Sequence, residues 1–179
     1  MKHLNCFTSV GAIFLFTVLV SAMHAAPPQY AVTVLDNLSN GINSHGYGIN
    51  SSGQVAGTDG ARHAVQWTGM TPTNLLTLGG TFTLNYGINI SGQMVGYGDI
   101  TGNSAHHAIR WTGTTPTDLG TLGGTFSFAS GINDSGQVAG YANITGNTAN
   151  HAVRWTGTMP TDLGILPGGT LSQIGRAHV

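Results

Sequence analysis

One stretch decides the fold: His107-Ala-Ile-Arg-Trp-Thr-Gly-Thr-Thr-Pro-Thr-Asp-Leu-Gly-Thr-Leu-Gly-Gly124. Related copies begin at His63 and His151, and the differences 107 − 63 and 151 − 107 both equal 44 residues. A fixed period of this size is typical of repeat architectures, in which each repeat is one supersecondary unit. The sequence therefore predicts a tandem repeat fold.

Each full repeat unit contains four strand-like segments. The first ends in Gly-Ile-Asn, the second resembles Gln-Val-Ala-Gly, the third is His-Ala-Val-x-Trp and the fourth is Asp-Leu-Gly-Thr-Leu. Ser-Gly and Thr-Gly pairs separate these segments, and such residues favour tight hairpin turns. We predict an all-β fold of tandem four-stranded antiparallel units of about 44 residues. Four short strands per unit favour a β-propeller, with a β-solenoid as the alternative.

The sequence divides into three regions. Residues 1–25 combine a Lys2 start, an apolar run over 10–20 and small residues before Ala26, the pattern of a signal peptide. A membrane anchor is the alternative, but the run is shorter than the ~20 apolar residues that a spanning helix needs. Residues 30–173 hold the β-repeat array, about three units plus an N-terminal partial unit that begins with a β-rich segment at 30–35. Because a closed propeller usually has at least four blades, we expect a partial β-propeller.

The end of the chain departs from the repeat pattern. Another Gly-Ile-Asn is due near position 176, but residues 174–179 read Ile-Gly-Arg-Ala-His-Val. We expect this segment to be a non-native tail on a fragment of a longer protein.

Composition limits the compartment and the partners. The chain has five Lys and Arg residues, six Asp residues and no Glu. Nucleic-acid binding and polybasic membrane contact both need a basic surface, so neither is expected. Cys6, the single cysteine, lies in the predicted signal peptide, so the mature chain must hold together without disulfides. We predict a secreted, cell-surface or periplasmic protein with no transmembrane segment in the mature chain and no cofactor.

Several motifs together resemble one known family. Gly131-Ile-Asn-Asp-Ser-Gly-Gln-Val-Ala-Gly140, the His-Ala-Val-Arg-Trp segment at 151–155 and the Asp-Leu-Gly-Thr-Leu-Gly-Gly segment at 118–124 are similar to the bacterial extracellular repeat family named for its His-Ala-Phe (HAF) tripeptide. Val or Ile stands here where the family name has Phe. The resemblance implies an exported, propeller-like bacterial repeat protein, and it supplies no catalytic residues to transfer.

Two sets of repeated residues need an interpretation. The histidines are His63, His107 and His151, and the tryptophans are Trp67, Trp111 and Trp155. Facing sheets stand about 10 Å apart, too far for two histidines to share one zinc ion, so we predict packed, hydrogen-bonded structural histidines and no metal site. The tryptophans are predicted to pack between units. An exposed platform for stacking on sugars is the alternative.

The loop before the repeated histidine is the candidate ligand-contact site. Its polar residues are Asp99, Asn103, His106, Asn143, Asn147 and Asn150. Each copy carries at most one carboxylate, too few for a calcium site. The first unit lacks five residues of this loop, so we expect the loop to lie at the surface. It could contact an unknown extracellular ligand, a glycan or a protein, or it could be a plain solvated loop.

The predicted function is an exported scaffold or binding module, and not an enzyme. Glycoside hydrolysis usually needs paired carboxylates, often one with a raised pKa. The chain has no Glu, and Asp118 and Asp162 occupy equivalent repeat positions. The alternative is a fragment of a larger propeller enzyme that acts on an extracellular carbohydrate.

One further expectation concerns two charges that vary together. Arg110 and Asp118 recur at positions 154 and 162, and both are amides, Gln66 and Asn74, in the first unit. In a hairpin centred on Thr114, Arg110 and Asp118 would stand opposite each other on one face. We therefore predict an Arg–Asp pair in the second and third units and an amide pair in the first.

Overall fold

The computed structural model describes residues 31–32, 34–35, 43–165 and 169. The chain divides into two compact bodies, Met1–Val32 and Thr33–Val179, and all the described strands belong to the second. The predicted signal peptide at 1–25 and the predicted tail at 174–179 lie outside the described residues. Four residues of the segment 30–35 are described, and none of them lies in a strand, contrary to the prediction for that segment.

The described chain is mostly β with antiparallel sheets, which confirms the all-β part of the predicted fold. The first unit contains β1 (His45–Ile49), β2 (Gln54–Thr58), β3 (Ala64–Thr68) and β4 (Thr71–Asn74). The second contains β5 (Gly79–Ile88), β6 (Met94–Ile100), β7 (His106–Thr112) and β8 (Thr115–Asp118). The third contains β9 (Gly123–Ile132), β10 (Val138–Ile144), β11 (Asn150–Thr156) and β12 (Met159–Gly164). Short 3₁₀ turns, Thr101–Asn103 and Thr145–Asn147, follow β6 and β10.

The strands form two sheets. One has four strands in the order β1-β2-β3-β4, and the other has eight. Within the larger sheet, β5 to β8 and β9 to β12 are antiparallel neighbours in chain order. A single parallel pair, His106 opposite Phe126, joins β7 to β9. Each unit is therefore a four-stranded antiparallel meander, and within 43–165 the sheets stay open.

In the first two units the fourth strand lies earlier in the sequence than predicted, whereas β12 of the third unit begins early but also covers the first three residues of the predicted segment at 162–166. β8 ends at Asp118, where the predicted Asp-Leu-Gly-Thr-Leu strand begins. The Asp118 carboxylate accepts a hydrogen bond of 2.7 Å from the Gly120 N–H, and Gly120 has a φ of 67°, so the chain turns out of the sheet there. The Gly-Gly pair that follows the fourth segment begins the next unit, because β5 and β9 start at Gly79 and Gly123.

A repeated glycine in the second strand allows the first strand to bulge. The pairing of β9 with β10 shifts between Ala139 and Gly140, which leaves one extra residue, Ser130, on β9. A Cβ at Gly140 would overlap the carbonyl oxygen of Phe128. The last glycine of Gln-Val-Ala-Gly is therefore required by close backbone approach at a bulge. The pairings of β1 with β2 and of β5 with β6 shift at the equivalent place.

The units pack on one another through repeated contacts. Trp111 is buried in a cluster with Leu75 of the first unit, and Trp155 is buried in a cluster with Leu119 of the second. The three tryptophans are 1%, 0% and 0% exposed, which confirms that they belong to the core and excludes the sugar platform. Hydroxyl groups reinforce these junctions. Ser127 Oγ accepts a hydrogen bond of 2.8 Å from the Ala108 N–H, and Thr83 Oγ1 accepts the equivalent bond from the first unit.

Asn50 and Asn89 of the Gly-Ile-Asn motifs each link their own turn to the next unit. Asn50 Nδ2 donates to the backbone oxygen of Asn89 at 3.0 Å, and Asn89 Nδ2 donates to that of Asn133 at 3.1 Å. The side-chain oxygen of each asparagine also accepts the N–H of the residue four positions later. The motif predicted as a hairpin signal therefore also joins consecutive units.

Candidate functional site

The phenylalanines and tyrosines of residues 43–165 all lie on one surface, which we call the aromatic face. They are Tyr47, Phe82, Tyr86, Tyr97, Phe126, Phe128 and Tyr141. The rings of His45 and His106 extend it. Neighbouring ring centroids are between 5.0 and 6.2 Å apart, and none of these residues is fully buried. The result is a continuous, partly exposed surface of rings that crosses all three units.

Strand alternation produces this face. Along β9, Ser127 and Ala129 are fully buried in the core, so the intervening Phe126 and Phe128 project to the opposite side. β5 repeats the pattern with Thr83 in the core and Phe82 on the face. Inward positions that carry small or hydroxyl side chains therefore leave the large rings outside.

Two connected grooves cross the aromatic face. The first has a volume of about 430 Å³ and lies between the first two units, where Tyr47 and Arg62 meet Phe82 and Tyr97. The second, of about 420 Å³, extends towards the third unit and adds Asp99, His106 and Phe126 to the lining. The grooves share Arg62, Phe82 and Tyr97, so they form one continuous depression with both charged and aromatic walls.

Arg62 is held in this depression by a tight turn. Its φ is 68°, in the left-handed region that an arginine rarely adopts and that costs about 1–3 kcal/mol. The Asp59 carboxylate stabilises the turn by accepting the N–H groups of Ala61 and His63 at 3.0 and 2.8 Å. The Arg62 guanidinium carbon lies 5.8 Å from the Phe82 ring centre, within cation–π range. The shortened loop of the first unit therefore places one positive charge over the rings of the second.

Asp99 and His106 form a polar pair at the other end of the depression. They are cross-strand partners on β6 and β7, and His106 Nδ1 lies 2.6 Å from Asp99 Oδ1. Asp99 is only 6% exposed, whereas His106 is exposed. In the third unit the equivalent partners are two amides, Asn143 and Asn150, so this pair breaks the repeat symmetry.

The hydroxyls of Tyr86, Tyr97 and Tyr141 stay protonated at neutral pH, because burial raises the pKa of each. Burial raises the pKa of Tyr86 to about 12, and the nearby Tyr97 and Tyr47 add to the effect. Burial, followed by the charge of Tyr141, also raises the pKa of Tyr97. A protonated phenol can both donate and accept a hydrogen bond, so the rings offer polar edges as well as apolar faces.

The structure divides the predicted ligand-contact loop into two sets. Asp99 and His106 line the depression, as described above. Asn103 and Asn147 instead anchor strands: their side-chain oxygens accept the N–H groups of Thr81 and Thr125 at 3.1 and 2.8 Å. These two hydrogen bonds hold the first residues of β5 and β9 in place.

The remaining two loop residues, Asn143 and Asn150, are associated with the strands. Asn143 Nδ2 donates to Asn147 Oδ1 at 3.4 Å, and Asn150 pairs with Asn143 across β10 and β11. Neither residue lines the two grooves. The predicted loop therefore contributes two of its six residues to the candidate site.

The repeated histidines make structural hydrogen bonds. His107 Nδ1 lies 2.9 and 2.8 Å from the two Asp118 oxygens, and His151 makes the same contact with Asp162. His63 uses Asp59 instead, at 3.2 Å. Among the described residues, no group of three His, Cys, Asp or Glu side chains could hold a metal ion.

The predicted Arg110–Asp118 pair is wrong. The strand register places Arg110 opposite Thr117 and Asp118 opposite Ile109, and the third unit has the same register. The hairpin turns through two residues, Gly113 and Thr114, whereas the prediction centred it on Thr114. A one-residue change of register moves a side chain to the other face of the sheet.

The amide pair predicted for the first unit is also wrong, because Gln66 stands opposite Thr73. Asn74 occupies the position of Asp118, and the histidine of this unit takes its carboxylate from Asp59 instead. The change at position 74 is thus accounted for. Nothing in the structure explains Gln66.

Asp118 and Asp162 each contact a repeated histidine, and the pKa values of both carboxyl groups are shifted in the same direction. Burial alone would raise the pKa of Asp118, but the hydrogen bonds from His107 and from the Gly120 N–H outweigh it and lower that pKa. At Asp162, burial is likewise outweighed by the Gly164 N–H and His151, so its pKa is also lowered.

Sequence reasoning missed the aromatic face, although a signal was present. The differences 126 − 82 and 141 − 97 both equal the repeat period of 44, and 86 − 47 equals the 39-residue spacing of the shortened first unit. Phe82 and Tyr97 are thus repeated positions in the same sense as the tryptophans.

No helix formed by the described residues is long and apolar enough to cross a membrane. A scan against protein-family models matches none of them, and a search of curated proteins finds no significant match.

Proposed function

We propose that this chain is an exported repeat module that binds an extracellular ligand on its aromatic face. The observation that carries the proposal is the segregation of aromatic residues. The three tryptophans are buried in the core, whereas every Phe and Tyr of residues 43–165 stays partly exposed on the aromatic face. Fully burying one such ring contributes about 1.5–3 kcal/mol, so a contiguous patch of partly exposed rings indicates an interaction surface.

Membership in the HAF-type repeat family, bacterial origin and a partial propeller arrangement belong to the same proposal. The order of the repeated motifs supports the family, and the apolar run at 10–20 supports export to the periplasm, the cell surface or the medium. Three four-stranded meanders joined by equivalent junctions support the propeller over the solenoid. The ligand is a glycan or a protein.

A glycan-active enzyme is the second candidate, and one observation favours it. The Asp99 carboxylate lines the groove beside His106. Hydrolysis with retention or inversion needs a second carboxylate at a defined distance. Asp59 is the other acidic residue of the depression, and its oxygens are bonded to its own turn and to His63. This engagement favours binding over catalysis.

An array of neutral glycans, acidic glycans and proline-rich peptides, together with a panel of glycosidase substrates, tests the proposal. We expect binding by the full chain, loss of that binding in Phe126→Ala, and no turnover. Met159→Ala is the matched control, because Met159 is 75% exposed and lies on β12 away from the face. Equal binding by both variants would remove the aromatic face as the ligand surface. Turnover that Asp99→Asn abolishes would establish the enzyme instead.

A further inference from the structure

We propose that the depression shared by the first two units binds an uncharged glycan chain. In this proposal the rings of Phe82 and Tyr97 lie under the sugar faces, and Arg62 and Asp99 make hydrogen bonds to the hydroxyl groups. The inference rests on the aromatic face being the ligand surface. It goes further by naming the chemical class of the ligand and the residues that select it.

The lining of the depression matches the two sides of a sugar ring. A pyranose has an apolar C–H face and a rim of hydroxyl groups that donate and accept hydrogen bonds. Phe82 and Tyr97, whose ring centroids are 5.5 Å apart, supply adjacent apolar surfaces. Arg62 supplies donors only, and Asp99, whose Oδ1 is in contact with His106, supplies acceptors only, so the pair serves both halves of a hydroxyl group.

The charge balance of the depression excludes an anionic ligand. Arg62 is its one arginine, and the lining also contains two aspartates, Asp59 and Asp99, and two histidines, His45 and His106. A polyanion binds through an excess of positive charge, which this site lacks. A neutral glycan chain meets no charge repulsion here, because its hydroxyl groups can form hydrogen bonds with charged groups of either sign.

A peptide ligand is less well matched. Peptides that add to a sheet need an unpaired strand edge. Tyr97, which lines both grooves, projects from β6, and that strand is paired along both edges. A ligand over Tyr97 therefore meets side chains alone, which suits a glycan. β1 and β5 also line the first groove and are edge strands of their sheets, so a peptide ligand is one outcome of the test below.

Arg62 is the residue that we expect to determine which ligand binds. Within the described part of the chain, the other non-glycine residues with positive φ are Asn103 and Asn147. Asparagine tolerates the left-handed region, whereas arginine rarely adopts it. An arginine at such a position lowers stability, so its side chain needs another reason to be there. Its placement over Phe82, in both grooves, supplies that reason.

Calorimetry on the full chain tests the inference with four neutral hexasaccharides: cellohexaose, laminarihexaose, maltohexaose and chitohexaose. We expect at least one to bind, and Arg62→Asn to weaken that binding about 10-fold or more, the effect of losing a central contact. Because Asn tolerates positive φ, the melting temperature of Arg62→Asn should equal or exceed that of the wild type. Arg154→Asn, which removes an exposed arginine of the third unit, should change nothing.

The other outcomes separate this inference from the proposed function. Failure of all four hexasaccharides to bind at millimolar concentration, or equal binding by Arg62→Asn and the wild type, would overturn the inference. Tighter binding of polygalacturonate or of a proline-rich peptide that Phe82→Ala abolishes would overturn the glycan class and leave the aromatic face as the binding surface. Binding that survives Phe82→Ala, with the fold of that variant verified by its melting curve, would overturn both.

Discussion

At the scale of single residues, each repeated histidine keeps a hydrogen bond to an aspartate, although the aspartate comes from a different position in the first unit. His107 takes its carboxylate from Asp118, at the end of the following strand. His63 takes it from Asp59, before its own strand, because the first unit has Asn74 where the second has Asp118. The bond to Nδ1 is thus maintained through a compensating substitution, which supports a structural role for these histidines.

Replacing Asp118 by Asn isolates the charge in this contact. Asn keeps an acceptor for the Gly120 N–H but removes the negative charge beside His107. Since the Asp118 side chain is 43% exposed, we expect a loss of at most about 1 kcal/mol in the free energy of unfolding near pH 6. Urea denaturation followed across pH 3–7 measures this loss.

The pH dependence has a definite sign. The pKa of Asp118 is lowered in the folded state, so its stabilisation is present above the ordinary Asp pKa of about 4 and is lost as the pH falls through the folded value. The difference between wild type and Asp118→Asn should therefore shrink below about pH 4. Asn74→Asp is the matched variant, and it should add little because Asp59 already serves that unit. A difference that grows on acidification would contradict this account.

At the scale of strands, the bulge glycine can be compared with a neighbour that has room. A Cβ at Gly140 would overlap the Phe128 carbonyl oxygen, whereas a Cβ at Gly131, on the adjoining strand, meets no atom within 4 Å. We expect Gly140→Ala to cost about 1–3 kcal/mol in the free energy of unfolding, and Gly131→Ala to be close to neutral. Chemical denaturation of both variants measures the difference. Equal stability of the two would show that the bulge is easily deformed.

The number and order of strands were predictable from the sequence, but the hairpin registers were not. Gly, Ser and Asn turn signals mark the strand boundaries, so four strands per unit followed directly. The face on which Asp118 lies depends on whether the turn after Thr112 contains two residues or three. Turn residues alone do not decide the length of the turn, and a one-residue error in register moves every side chain of the strand to the other face of the sheet.

The candidate site was predictable only in part, for a related reason. Alternation along Thr81-Phe82-Thr83-Leu84-Asn85 shows that two faces exist, but it does not say which face is buried. Large aromatic residues are ordinarily expected inside, whereas here the fully buried positions are Thr83 and Asn85. The grooves also depend on contacts between units, which a single-unit motif does not describe.

At the scale of the whole molecule, equivalent positions differ in what covers them. Leu119 is 1% exposed in the junction between the second and third units, and Leu163, its counterpart in the third unit, is 52% exposed. In repeat proteins, stability is approximately a sum of unit and junction contributions. The contribution of a residue to stability therefore depends on the junction in which it is buried, and not on its position in the repeated motif.

Leu119→Ala and Leu163→Ala test this difference with one substitution at one repeat position. We expect a loss of about 2–5 kcal/mol in the free energy of unfolding for Leu119→Ala, because it leaves a cavity in the junction. Leu163→Ala should stay within about 0.5 kcal/mol of the wild type. Thermal and urea unfolding measure both, and a comparable loss in the two variants would show that β12 is covered in solution.

The separation of tryptophan from tyrosine and phenylalanine gives the molecule two independent optical reporters. Light absorbed by indole alone is emitted from Trp67, Trp111 and Trp155, all shielded inside the protein, so that fluorescence follows the integrity of the packing. The phenol absorption of the four tyrosines within 43–165 arises from the partly exposed aromatic face and follows what touches it. Unfolding and occupancy can thus be recorded separately in the same cuvette, without any added label.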